Sequence, residues 1–216
     1  MYKLVIDLEM AGNAPVGEGR ARKFIKEIIE IGAVLLDEDN NTIKKFETYV
    51  QPRYSRVTKS IERLTGITDE MLVGAPYFED AIADIIKELP EDVLLCTWSD
   101  SDTNAIKKEI DVKGLNIERL EELCENYFDI QREFSDKLNF GHILNLEKAL
   151  NLVGIDFKGK AHGALDDAIN TAKLYTSMYG DEEVMESIRN INDAMTPTPL
   201  TSSLGSMIDF SKFNLS

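Results

Sequence analysis

The chain has 216 residues, 43% of them hydrophobic, and 39 acidic against 24 basic residues give it a net charge of −15. That length and apolar content suit one ordinary domain with a sizeable core, while so acidic a surface excludes non-specific grip on duplex nucleic acid, which needs a basic face. A short single-stranded end held in a local pocket stays compatible with it. No apolar run reaches membrane-spanning length and the N-terminus lacks a signal-peptide pattern, so no membrane association is expected. Cys96 and Cys124, the only cysteines, sit in apolar segments and read as buried thiols, which predicts a reducing, cytoplasmic compartment. Two histidines are too few for a His-rich metal site.

Residues 2–8 read as a buried strand. Residues 10–26, with Gly12, Gly17, Gly19 and Pro15, read as a long loop, and its cations Arg20, Arg22, Lys23 and Lys26 stand out in an acidic chain. Residues 28–36 and 43–50 are the next strands, joined by a turn over 37–41, and the short connections predict an antiparallel meander. Helical spacing follows: a short turn at 60–64, a second after Thr68 as its cap, and a third opened by Pro76 with Phe78, Ile82, Ile85, Ile86 and Leu89 on one face. Residues 93–96 form a strand that leads into a helix through Ile106, and residues 127–130 form a short strand. Asn145 caps a helix ending near Gly154, and residues 164–179 form a strong helix with Leu165, Ala168, Ala172 and Tyr175 on one face. Residues 181–194 suit one more helix, and residues 195–216 a tail. Three strands followed by alternating helices and strands predict an α/β layer fold with a mixed sheet.

Three segments carry the chemistry. Asp7 and Glu9 are spaced i, i+2 at the end of the first strand, so their side chains share a face. Two carboxylates there need neutralising, which a divalent cation does and a solvated strand end also does. His162 and Asp167 flank the start of the 164–179 helix, with Gly163 between them. Five residues of helix is about 140° of rotation, so the pair converges only if His162 sits on the preceding loop. The third segment is the 93–96 strand, which also ends in acids. Ala105 and Ile106 stand three and four residues after Asp102, which turns Asp102 inward, whereas Asp100 precedes polar Thr103 and Asn104 and suits a helix cap. Four acids from three element ends would repel one another strongly without metal.

In this order, Asp7-x-Glu9, Asp102 and His162-x4-Asp167 resemble the motifs of the DEDDh superfamily of 3′–5′ exonucleases. Residues 27–34, 64–68 and 164–172 agree further, and Trp98-x3-Asp102, residues 128–131 and Gly159-x2-His162 are similar to the Eri-type exoribonucleases and the KapD-like sporulation inhibitors. The likeness covers residues 2–180, which sets a DEDDh exonuclease domain at 1–180 beside a C-terminal helix and flexible or docking tail at 181–216. It implies a ribonuclease H-like mixed sheet with helices on both faces.

The resemblance also implies the roles. Asp7, Glu9 and Asp167 would hold the ion that activates water. Asp7 and Asp102 would serve a second, the pair being Mg²⁺ or Mn²⁺. His162 would be the general base, a task histidine suits near neutral pH. The product would be a nucleoside 5′-monophosphate, and the substrate a single-stranded 3′ end, RNA favoured over DNA. The alternatives are a proofreading-like DNA exonuclease and a non-catalytic nucleic-acid or protein-binding regulator; the second is disfavoured because all five positions are filled. For substrate contacts, Met10, Ala11 and Gly12 are expected to offer amides and an apolar wall, with Thr65, Gly66 and Ile67 opposite. Arg53, Arg56, Lys59 and Arg63 are placed to track phosphates, and Tyr54 and Tyr77 to stack bases, with Phe78 better suited to the core. Ile208, Phe210, Phe213 and Leu215 in the tail suggest self-docking, self-association or a protein partner.

Overall fold

The computed structural model describes residues 1–17, 23–139 and 141–196. Its frame is a five-stranded sheet in the order β3-β2-β1-β4-β5. β1 (Tyr2–Val16) lies at the centre, antiparallel to β2 (Lys23–Leu36) and parallel to β4 (Val93–Thr97). β3 (Thr42–Tyr49) pairs antiparallel with β2, and β5 (Phe128–Asp129) parallel with β4. β2 is buried along most of its length because both its faces are covered, whereas β3 shows its lysines to solvent, as an edge strand must.

Alternation along β1 sends Leu4, Ile6 and Leu8 into one core cluster and Val5 into another. The first is closed by α3 (Phe78–Ile86), α4 (Asp100–Lys113) and α5 (Glu118–Glu125), through residues such as Phe78, Ile106 and Leu120. The second is closed by α6 (Ile130–Lys137), α7 (Leu146–Leu152), α8 (Ala164–Gly180) and α9 (Glu182–Met195). Helices therefore cover both faces, as expected. Two short helices, α1 (Lys59–Thr65) and α2 (Asp69–Leu72), sit beside the far half of β1, where Ala11, Ile29, Ile67 and Leu72 form a small third cluster. Among the described residues, no helix is long and apolar enough to cross a membrane.

Several elements depart from the sequence expectation. Residues 10–17 and 23–26 belong to the β1–β2 hairpin rather than to a loop. Register shifts after Glu9 and after Met10 let the ladder resume from Asn13 to Val16, so Gly12 and Pro15 mark irregular strand. Gly12 is glycine for space: a Cβ there would strike Thr58, and its N–H donates to the Arg56 carbonyl at 3.0 Å. α4 continues past Ile106 to Lys113, because Glu109 and Lys113 pair in the interior and read as surface in the sequence. α5 and α6 had no counterpart in the sequence reading, and β5 is only two residues because Asp129 already caps α6. Thr68 precedes α2 without a side-chain capping bond. α9 docks: Val184 and Ile188 join the second cluster beside Met178. The expectations for Arg20 and Arg22, and for the tail with Ile208, Phe210, Phe213 and Leu215, lie outside the described residues.

Candidate active site

Hydrogen bonding at the end of the parallel pair sets the first side chains. The β1–β4 ladder stops at Ile6 opposite Thr97, which leaves the next inward amide of β1, Leu8, without a strand partner. Asp102, in the first turn of α4, accepts that amide with Oδ1 at 3.2 Å. The bond holds Asp102, only 4% exposed, against β1 near Asp7, while Asp100 stays in solvent. The inward packing of Ile106 that favoured Asp102 is present, with Ile106 fully buried.

α8 supplies the other side. Asp7 lies opposite Gly32, and a Cβ at Gly32 would overlap the backbone of Ala164 and Leu165. That glycine lets the first turn of α8 rest on the sheet. Glu30, across the ladder from Glu9, accepts the Ala164 amide at 3.0 Å and so fixes the start of the helix. His162 sits just before it in the left-handed region, at φ +63°, an uncommon conformation for a side-chain-bearing residue. Its own amide donates to Asp167 Oδ2 at 3.1 Å, which folds the loop back over the acid. Upstream, Asp166 accepts the Lys160 amide at 2.8 Å, and Asn170 brackets Lys158, accepting its amide at 3.0 Å and donating to its carbonyl at 2.7 Å. Ligating atoms of Glu9, His162 and Asp167 all lie within 4.8 Å of one another.

The electrostatics follow from this crowding. Burial, then the fields of Asp102, Asp167, Glu9 and Glu30, push the Asp7 carboxyl well above the usual carboxylate range. Burial, then Asp167, Glu30 and Asp102, raise Glu9 to about 8, with Lys160 opposing. Burial raises Asp102 to about 7 despite the Leu8 amide, and burial also raises Asp167 and Glu30. Such a set is proton-rich until a cation replaces the protons, and oxygen donors at the end of a strand fit a hard divalent ion. Among the described residues, Glu9, His162 and Asp167 bring ligand atoms close enough to hold one, and the carboxyls of Asp7 and Asp102 lie within the same electrostatic cluster.

The expected substrate walls meet but are partly occupied. Ala11 and Ile67 pack together and are buried, and Met10 leans on the first core cluster. The Gly12 amide is taken by Arg56, so it is not free for a ligand. Thr65 is buried, its hydroxyl donating to Ile61 and accepting from Ile67, and Gly66 ends α1 at φ +77°. Arg53 is paired with Glu79 and stacks over Tyr77 at 4.6 Å, whereas Arg56, Lys59 and Arg63 are exposed. Tyr54 and Tyr77 are partly exposed and Phe78 is core. Sequence reasoning assigned no role to Glu30 or Lys160. Glu30 carried a signal, an acid inside a run of isoleucines; Lys160 carried none, since its partner lies 95 residues away.

A mixed sheet whose central strand ends among converging carboxylates, with a histidine loop above them, defines a nuclease of the ribonuclease H-like fold. The exonuclease family model (RNase_T) matches residues 4–175, and the chain belongs to that family. Its relatives place it in the DEDDh superfamily of hydrolytic 3′–5′ exonucleases. The chain is 27% identical to the probable 3′-5′ exonuclease KapD of Bacillus subtilis, over 85% of this chain and 87% of that one. It is 28% identical to the DNA polymerase III subunit epsilon of Buchnera aphidicola, over 88% and 79%. The nuclease domain of 3′hExo, a DEDDh family member bound to rAMP, superposes with a TM-score of 0.69 at 25% identity, covering 84% of this chain and 92% of that one.

Proposed function

We propose that this exonuclease removes nucleotides from single-stranded RNA 3′ ends, releasing nucleoside 5′-monophosphates, with two divalent ions, Mg²⁺ or Mn²⁺. The observation that carries the chemistry is the meeting of Glu9, His162 and Asp167 in the same acid cluster as half-buried Asp7 and buried Asp102. In this reading Asp7, Glu9 and Asp167 would hold one ion, and Asp7 with Asp102 would serve the other. Divalent ions bound there would supply polarisation of the scissile phosphate and a more acidic water. The protein's own part is orientation and proton transfer. Asp102 is fixed by the Leu8 amide, Asp167 by the His162 amide, and the exposed His162 ring takes the proton of the attacking water. The likeness to a nuclease domain bound to rAMP supports RNA; the likeness to a polymerase subunit supports the second reading, a DNA 3′ end. Two buried, free thiols suit a reducing compartment.

The test uses matched 5′-labelled RNA and DNA single strands with Mg²⁺, Mn²⁺ or EDTA. Stepwise shortening of RNA faster than DNA, stopped by a blocked 3′ end and by chelator, is expected. Faster DNA loss would move the substrate to the second reading, and robust cutting in EDTA would remove the metal mechanism. Calorimetry separates base from ligand. Asp7→Ala should lose ion binding and activity together, whereas His162→Ala should keep ion binding and lose turnover by about 10²–10⁴-fold. Equal loss of ion binding in both variants would make His162 a ligand.

A further inference from the structure

Lys160 reaches from the histidine loop to the opposite wall of the site. Its ammonium donates to the carbonyl of Thr65, the last residue of α1, at 2.5 Å. It lies against Gly66, where any Cβ would meet the ammonium. The Lys160 backbone is held independently: its amide is bound to Asp166, and a Cβ at Gly159, which sits at φ +88°, would overlap the Asp166 carboxylate. The residue is exposed, so its side chain can be reached from solvent.

Capping α1 does not require this contact. The helix end is already closed by the Gly66 amide on Glu62 at 2.7 Å and the Thr65 hydroxyl on Ile61 at 3.0 Å. An ammonium has three donors, and one contact to a neutral carbonyl is weak use of a charge beside so many acids. The site also needs a cation of its own. A polyanionic strand has to approach the carboxylates of Asp7, Glu9, Glu30, Asp102 and Asp167, and Lys160 is the cation whose field acts on Glu9 and Glu30.

We propose that Lys160 is a substrate-positioning residue that exchanges the Thr65 carbonyl for a phosphodiester oxygen near the 3′ end of the strand. The inference rests on the single-stranded 3′ end as substrate. Before a strand arrives, the lysine bridges the two walls. Once it arrives, the ammonium swaps a neutral acceptor for an anionic one, a stronger bond, and the arm no longer crosses the mouth. Because phosphate is common to RNA and DNA, Lys160 sets affinity without choosing the sugar.

The experiment compares the full chain with Lys160→Met and Lys160→Arg on short single strands of RNA and of DNA. Lys160→Met should raise KM about tenfold, the size of one charge-assisted hydrogen bond, on both sugars alike. Its kcat should stay near that of the parent, and Lys160→Arg should restore most of the affinity. The slope of log KM against log salt should fall by about 0.7, one phosphate contact on a single strand. Fluorescence anisotropy with the ions chelated should show the same loss of binding without turnover. An unchanged KM and unchanged anisotropy with a lowered Tm would reduce Lys160 to a helix cap and overturn the proposal. A fall in kcat at constant KM would also overturn it. If the parent protein degrades DNA and ignores RNA, the RNA reading fails, while the comparison on DNA still decides for or against Lys160.

Discussion

Asp102 performs two tasks that a substitution can separate. Its Oδ1 satisfies the Leu8 amide at the end of the β1–β4 ladder, and its charge belongs to the acid cluster. Asp102→Asn keeps an acceptor for Leu8, so the fold should survive while activity falls to near zero. Asp102→Ala should add a loss of stability of about 1–3 kcal/mol, the cost of an orphaned buried amide. Asp100→Asn, on the exposed side of the same turn, should stay active; thermal melts and stepwise digestion read both outcomes. The raised carboxyls predict a pH effect on the ion-free protein. Glu9 near 8 and Asp102 near 7 bind protons in the folded state that the unfolded chain has already released above about 4. Stability from these groups is therefore full at acid pH and is lost as pH rises through 7 to 8. Tm in EDTA should fall over that range and Mg²⁺ should restore it; a Tm that rises with pH in EDTA would contradict the crowding. That Asp102 rather than Asp100 turns inward was readable from sequence, because inward packing follows a helical period. Glu30 and Lys160 were not, because their partners Ala164 and Thr65 are brought to them only by tertiary folding.

The hairpin is strengthened where its ladder breaks. β1 and β2 slip register just after Glu9, so Ile28 cannot make an ordinary strand bond, and Glu109 of α4 accepts its amide at 2.7 Å. Lys113 joins Glu109 at 2.6 Å and Glu27 at 2.9 Å, all three side chains shut off from solvent. Glu27 also accepts the amides of Arg53, Tyr54 and Ser55, at 2.8, 2.7 and 2.5 Å, and so anchors the strap that leads to α1. Burial drives both carboxyls upward. At Glu27 the ammonium and the amides outweigh burial and hold it below its ordinary range, whereas Glu109, with one amide, remains raised. Glu27 is thus the firmly charged partner of Lys113. Lys113→Met leaves that charge unpaired in the interior and should lower stability by about 3–5 kcal/mol, read by denaturant unfolding. A change under 1 kcal/mol would mean that water reaches the triad. This design hid from the sequence: Glu27, Glu109 and Lys113 look like solvated surface, and Gly12 and Pro15 look like loop, so both the outer half of the β1–β2 hairpin and the second half of α4 went unread.

At the scale of the whole molecule, the meander of three strands, the return to a parallel partner and the long α8 were all legible, because apolar periodicity sets them. The family match ends at residue 175, yet the folded unit does not. Val184 and Ile188 of α9 lie in the same core as Met178, so α9 helps to seal the sheet face that carries α8. Shortening the chain to residues 1–196 should leave activity per molecule unchanged on a short single strand. Shortening it to 1–181 should uncover Met178 and its neighbours and lower Tm. Equal Tm values would mean that α9 contributes nothing. The order of the site along the chain has a further consequence. Asp7 and Glu9 precede Asp102 along the chain, and His162 and Asp167 come after both. A chain growing on a ribosome begins to fold from its N-terminus, but it cannot assemble this set of acids until α8 has left the exit tunnel. The exonuclease site is therefore incomplete on a growing chain until α8 is free to dock, so its acids come together late and in one step.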